Sequence, residues 1–186
     1  MIWLALTWYL WQEPCAAVRG DTLIMECQST GLVSQQEYHG PLTVEVDVRA
    51  YPIGATPSYW AGLALNGDVT ADDDYVQAAI TQGIEPYTTL DAPHGVKLAT
   101  TGQDCCQVLG SAPSAAWHRL RVTFDGSAAH ICVDGECSTT PWGASSYRIE
   151  LLCVADNPDT PNAGGRTRCE WRDLRFLSYL PGIAQP

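Results

Sequence analysis

The residues of this chain with the most chemistry open to them are its eight cysteines: Cys15, Cys27, Cys105, Cys106, Cys132, Cys137, Cys153 and Cys169. An even count without Cys-x2-Cys knuckle spacing points to a disulfide framework and away from zinc thiolates. The most direct case is His130 to Cys137, HICVDGEC. Asp134-Gly135 suits a two-residue type I′ turn, whose central residues both need φ > 0. Val133 and Glu136 then flank the turn, and Cys132 and Cys137 form the next cross-strand pair. Such a non-hydrogen-bonded pair holds its Cα atoms about 4.5 Å apart, within disulfide range. Cys153 and Cys169 can lie opposite one another if segments 147–155 and 167–178 run antiparallel around the loop between them. Cys15 and Cys27 can pair around the first connection. The loop-entropy model gives about 3 kcal/mol for the Cys153–Cys169 bridge and about 2 for the tight hairpin bridge. Cys105 and Cys106 are left over. They form a vicinal bridge or take separate partners, which would break the other pairings. Disulfides imply an oxidising destination, extracellular or on a cell or virion surface.

Oxygen-rich and aromatic residues offer further candidates. Asp72, Asp73 and Asp74, with Asn66 and Asp68 nearby, are a candidate Ca²⁺ site, because calcium takes six to eight oxygen ligands. The plain alternative is a polar loop before a strand. Asp156, Asn157 and Asp159 form a second acidic loop. Tyr59, Trp60 and Trp142 sit beside turns, where exposed rings can stack on the C–H faces of sugars; the alternative is a core role. Glu45 and Asp47 stand two apart, and glycosidic cleavage runs on a carboxyl pair. The histidines, His39, His94, His118 and His130, are scattered without metal-like or triad-like spacing. There is no Gly-x-Ser-x-Gly elbow and no glycine-rich phosphate loop leading from strand to helix.

The formal charge is −11, and Lys97 is the only lysine beside nine arginines. No basic stripe is present to displace counterions from nucleic acid, and an anionic membrane surface is disfavoured for the same reason. At 186 residues and 46% hydrophobic content the chain suits one domain, 1–186, with a sizeable core. The apolar start, 1–12, reads as an amino-terminal strand of the same fold. It is shorter than the roughly 20 residues that span a bilayer, and it lacks a basic region and an Ala-x-Ala site. An oxidising destination then requires a leader upstream of this start or another exit, such as cell lysis.

Short β-like segments must position these residues. Segment 42–50, LTVEVDVRA, alternates strictly, with Leu42, Val44, Val46 and Val48 on one face and Thr43, Glu45, Asp47 and Arg49 on the other. Further strands are expected over 22–28, 59–65, 75–81 and 96–100. Two hairpins follow over 117–137, with Leu120, Val122 and Phe124 facing inward, then a final pair over 147–155 and 167–178. Ser29-Thr30-Gly31 reads as a turn. No segment carries a capped 3.6-residue apolar stripe. The pattern predicts an all-β, two-sheet antiparallel β-sandwich.

In order, YHGPLTVEVDVRA, PSYWAGLALNGD, DDYVQAAI, WHRLRVTFDG with HICVDGE, and RCEWRDLRF resemble the concanavalin A-like lectin/glucanase superfamily. The closest likeness is to its laminin G-like jelly-roll domains, over about residues 20–180. The resemblance implies two sheets packed face to face, one of them concave, with ligands across the concave face or on edge loops. It also implies calcium at the sandwich edge in some members, and Trp117 and Trp171 in the core. Hydrolases of the superfamily carry Glu-x-Asp-x-x-Glu on their catalytic strand. Glu45-Val46-Asp47 mimics the first half, but position 50 is Ala50. By segment order this strand matches the one preceding the catalytic strand, and Asp74 to Ile80 has no second or third carboxylate at alternating spacing. Glu45 and Asp47 therefore read as a solvated strand face. The expected function is a non-catalytic extracellular binding or adhesion module that recognises glycan. One alternative is a structural subunit of a filament or virion surface, a homo-oligomer or polymer with a partner on an exposed edge strand. The other is a divergent glycoside hydrolase with displaced acids.

Overall fold

The computed structural model describes residues 8–11, 15–27, 29–53, 59–67, 74–82, 95–102, 107–113, 115–155 and 166–177. These form fourteen strands and, among the described residues, no helix. The strands are β1 (Trp8–Trp11), β2 (Ala16–Arg19), β3 (Thr22–Cys27), β4 (Ser29–Ser34), β5 (Leu42–Ile53), β6 (Tyr59–Asn66) and β7 (Tyr75–Gln82). After them come β8 (Gly95–Thr101), β9 (Gln107–Ala112), β10 (His118–Phe124), β11 (Ala128–Val133), β12 (Glu136–Pro141), β13 (Arg148–Val154) and β14 (Arg166–Leu177). They build two antiparallel sheets of seven strands. Sheet I runs β1-β4-β13-β6-β7-β8-β9, and sheet II runs β12-β11-β10-β5-β14-β3-β2.

Period-two alternation fixes which side chains meet between the sheets. Val44, Val46 and Val48 of β5 are fully buried, as are Leu120 and Val122 of β10. Sheet I answers with Leu63 and Leu65, Val76, Ala78 and Ile80, and Ile149 and Leu151. Trp171 is fully buried among them. At one end Phe124 meets Trp142 and Tyr147 edge-on, with ring centroids 5.0 and 5.6 Å apart.

The hairpin β11–β12 forms as its sequence predicts. Asp134 and Gly135 have φ of +52° and +85°, Val133 pairs with Glu136, and Cys132 pairs with Cys137. Their sulfurs are bonded, with Cα atoms 4.1 Å apart. At the preceding turn Asp125 Oδ1 accepts hydrogen bonds from Ser127 N, Ser127 Oγ and Ala128 N at 2.8–3.0 Å. Those donors hold its carboxyl down at about 2.

Two expectations are corrected. Cys153 and Cys169 are bonded, with Cα atoms 6.0 Å apart, but β13 and β14 are not a hairpin. Strand β13 lies between β4 and β6, and β14 between β5 and β3, so the bridge staples one sheet to the other. Each strand already has two ladder neighbours, which leaves no edge for the other. Ser29-Thr30-Gly31 is not a turn but part of β4, paired with β13 and β1. Strands β2 and β9 also escaped the sequence reading, because both are short, largely exposed edges without apolar alternation. Of the expected amino-terminal strand 1–12, residues Trp8–Trp11 pair with β4 at the margin of sheet I; 1–7 and 12 lie outside the described residues. Cys15 is disulfide-bonded. The expected Cys15–Cys27 pairing involves a Cys27 side chain outside what the structure describes, and Cys105 and Cys106 lie outside the described residues.

Candidate outer-face site on sheet I

Alternation that sends Leu63, Leu65, Val76 and Ala78 inward sends their neighbours outward, and those neighbours stand in register across sheet I. One transverse row runs Val33, Glu150, Ala64, Gln77, Thr100 over five strands. The next runs Gly31, Leu152, Gly62, Ala79, Leu98. Trp60 stands in the row beyond, opposite Val154 and Thr81, and Asn66 stands at the other end, opposite Arg148 and Tyr75.

The long polar side chains lie flat over the glycines. A Cβ on Gly62 would sit 2.1 Å from Gln77 Nε2, and one on Gly31 would sit 2.6 Å from Glu150 Oε1. Gln77 Oε1 accepts from Trp60 Nε1 and from Thr100 Oγ1, each at 3.2 Å. Two donors on one oxygen settle which end of the amide is which. Nε2 is left over Gly62, buried and without an acceptor among the described residues. The indole of half-buried Trp60 is thereby held in one orientation by a buried polar pair. Asn66 Nδ2 donates to Glu150 Oε2 at 3.3 Å. Glu150 is buried, and desolvation raises its carboxyl above the ordinary glutamate range against the opposing pull of Asn66. Among the described residues, Glu150 is the only carboxylate directed outward from the strands of sheet I.

No family model matches the chain, and no curated protein matches it. Solved structures do. A functionally unknown protein from Saccharomyces cerevisiae aligns at 14% identity over 93% of this chain and 97% of its own, with a TM-score of 0.66. A Bacillus licheniformis β-glucanase aligns at 12% identity over 89% and 83%, with a TM-score of 0.61. An immunostimulatory antigen and pseudo β-1,3-glucanase of Mycobacterium tuberculosis aligns at 13% over 86% and 75%, with a TM-score of 0.54. The chain has the concanavalin A-like jelly-roll fold. At these identities the likeness is one of architecture.

Within this jelly roll the sequence-predicted residues part company. Of the three aromatic candidates only Trp60 reaches the outer face. Tyr59 points inward and is fully buried, with its hydroxyl against Gly95. Trp142 is buried against Phe124 and Tyr147, and its indole donates to Asp74 Oδ1 at 2.9 Å. Neither ring presents a stacking face, because each completes the apolar layer beside its turn. Of the calcium candidates, Asp74 spends one oxygen on Trp142, while Asp72, Asp73 and Asp68 lie outside the described residues. No group of three or more His, Cys, Asp or Glu able to hold a metal occurs among the described residues. The second acidic loop and His94 also lie outside them.

Glu45 and Asp47 are on the other sheet, and their face is not bare to solvent. Their side chains are only 12% and 10% exposed, beneath Arg119, Arg172 and Arg175. Trp117 is likewise not core: it is half-buried on this face, with the Arg49 and Arg172 guanidiniums 4.8 and 3.9 Å from its ring centroid. The sequence reading missed Gln77, Thr100 and Glu150. Their outward phase was legible from the alternation of 75–82 and 148–154, but no local motif marks residues that only strand order brings together.

Proposed function

We propose that this jelly roll is a non-catalytic extracellular glycan-binding module, and that the ligand lies on the outer face of sheet I with Trp60 as its stacking platform. One observation carries the reading: Trp60 is a half-buried aromatic whose indole N–H is fixed by Gln77, itself fixed by Thr100. Such second-layer bonding fixes a ring before a ligand arrives and lowers the entropy lost on binding. The half-buried Asn66, Tyr75 and Arg148 supply hydrogen-bonding groups at the far end of the same face. Two solved proteins of this fold, a β-glucanase and a pseudo β-1,3-glucanase, support glucan as the class to try first. The disulfides support an extracellular setting.

A second reading, a divergent hydrolase, has one observation in its favour: the raised carboxyl of Glu150 suits a general acid. It needs a second carboxyl roughly 5–10 Å away. Calorimetric titration with neutral β-glucan oligosaccharides, after a glycan array, tests both. Binding that Trp60→Ala reduces at least tenfold, with no new reducing ends released, is the expected result. Saturable binding indifferent to Trp60→Ala, or no binding to any glycan, overturns the proposal. Reducing ends that vanish in Glu150→Gln would replace it with the hydrolase.

A further inference from the structure

The two disulfides joining described residues differ in the properties that govern thiol exchange. Cys153 and Cys169 are both fully buried between the sheets. Cys137, by contrast, is exposed on edge strand β12, while its partner Cys132 is buried on β11. Arg121 of β10 stands in register with Cys132, and its Nη2 lies 3.5 Å from Cys132 Sγ. Glu45, across from Arg121 on β5, has its ion pairs with Arg119 and Arg175 instead. No carboxylate among the described residues pairs with Arg121, so no ion pair draws its guanidinium away from the sulfur. On the opposite side, Glu136 is engaged by Lys97 at 3.2 Å.

We propose that the Cys132–Cys137 bridge is a thiol–disulfide exchange site for dithiol reductants, with Cys137 as the attacked sulfur and Cys132 as the leaving one. An external thiolate attacks Cys137 Sγ. The new sulfur–sulfur bond forms there as the bond to Cys132 breaks, and the electron pair leaves on Cys132 Sγ. The Arg121 guanidinium stabilises that thiolate, and a better-stabilised leaving thiolate departs faster. The second thiol of the reductant then displaces Cys137, which takes a proton from water, and the reductant ends as its own disulfide. The strand pair survives the opening, since six register pairs and the Asp134-Gly135 turn hold β11 to β12. The two thiols therefore stay adjacent and the bridge re-forms on reoxidation. The site stands independently of the glycan reading.

Native wild-type protein is exposed to graded dithiothreitol, quenched by alkylation and mapped by peptide mass spectrometry. Cys132 and Cys137 are expected to be alkylated roughly tenfold or more faster than Cys153 and Cys169. Trapping with glutathione is expected to leave the mixed disulfide on Cys137. Arg121→Gln is expected to slow opening by roughly threefold or more, with Arg121→Lys restoring most of the rate. Equal opening of the two bridges, or glutathione found on Cys132, overturns the proposal on wild-type protein alone, should the variants fail to fold. An unchanged rate in a folded Arg121→Gln protein removes the role of the guanidinium.

Discussion

The two outer faces of the sandwich solve the same packing problem with opposite chemistry. Eight arginines stand on strands of sheet II, against Arg148 alone on sheet I. On sheet II five of them, Arg49, Arg119, Arg168, Arg172 and Arg175, cover the carboxylates. Arg119 grips Asp47 with two bonds of 2.8 and 3.2 Å. Glu170 accepts from Arg49 Nε at 2.8 Å, Arg168 Nε at 2.8 Å and Tyr51 Oη at 3.0 Å. Burial works against the Glu170 charge, but Arg49, Tyr51 and Arg168 outweigh it and hold its carboxyl below the ordinary range. Among the described residues the outer face of sheet I is neutral apart from Glu150 and Arg148. Its polar side chains lie on glycines, and its one carboxylate has an amide for a partner, not a cation. Sheet II keeps its charges by pairing them, and sheet I keeps a buried carboxyl by favouring its protonated form. A face whose polar groups are already ion-paired has little left to offer a ligand. One with an unmade buried donor and a fixed aromatic ring has more.

Substitution can break this contrast, beginning where the largest effect is expected. Gly62→Ala drives a methyl into the Gln77 amide and should lower stability by about 2 kcal/mol, the usual cost of overpacking, while displacing the bonds that hold Trp60. Denaturant melts and tryptophan fluorescence would report both. Gly110→Ala is the control, because its new Cβ meets the flexible end of the Glu136 side chain and should cost less than about 0.5 kcal/mol. On sheet II, Glu170→Gln removes the charge that Arg49 and Arg168 share and should cost about 1–2 kcal/mol, measurable as a fall in denaturation midpoint.

The response to pH should have opposite signs on the two faces. Glu170, held low, contributes stability that is present above its ordinary pKa of 4.5 and lost as pH falls below it. The turn carboxylate Asp125 does the same between its ordinary 3.8 and about 2. Glu150, held high, contributes most below 4.5, and its contribution declines as pH rises from there through its raised value. Glu150→Gln should therefore stabilise the protein at neutral pH and flatten that decline, as thermal melts across about pH 4–8 would show. A destabilised Glu150→Gln protein at neutral pH would mean that the Asn66 contact outweighs burial. The smallest effect expected is that of salt. Raising ionic strength should weaken the half-exposed Arg119–Glu45 and Arg175–Glu45 pairs by less than about 0.5 kcal/mol in total, and leave the Gln77–Trp60 and Glu150–Asn66 contacts of sheet I unaffected.

Much of this molecule can be read in its local sequence. The alternation of 42–50 and 118–124 settles strand identity and inner face, because side chains two apart must share a side. Asp134-Gly135 settles a turn and with it the Cys132–Cys137 bridge, because only a few residues tolerate positive φ. The charge of −11 and the cysteine count follow from composition alone. What the sequence leaves open is every fact that depends on which strands become neighbours. Cys153 and Cys169 could be matched from spacing, yet only the topology makes them a staple between sheets and not a hairpin rung. Gly31 looks like a turn residue until strand order puts Leu152 opposite it and lays the Glu150 side chain over it. Tyr59 and Trp60 are adjacent in sequence, but one is core and the other surface, and Trp60 becomes a candidate site only where β7 brings Gln77 to its indole and β8 brings Thr100 to Gln77. Periodicity acts over a few residues and is written in the chain. Register across five strands is set by long-range packing, and no short stretch of sequence contains it.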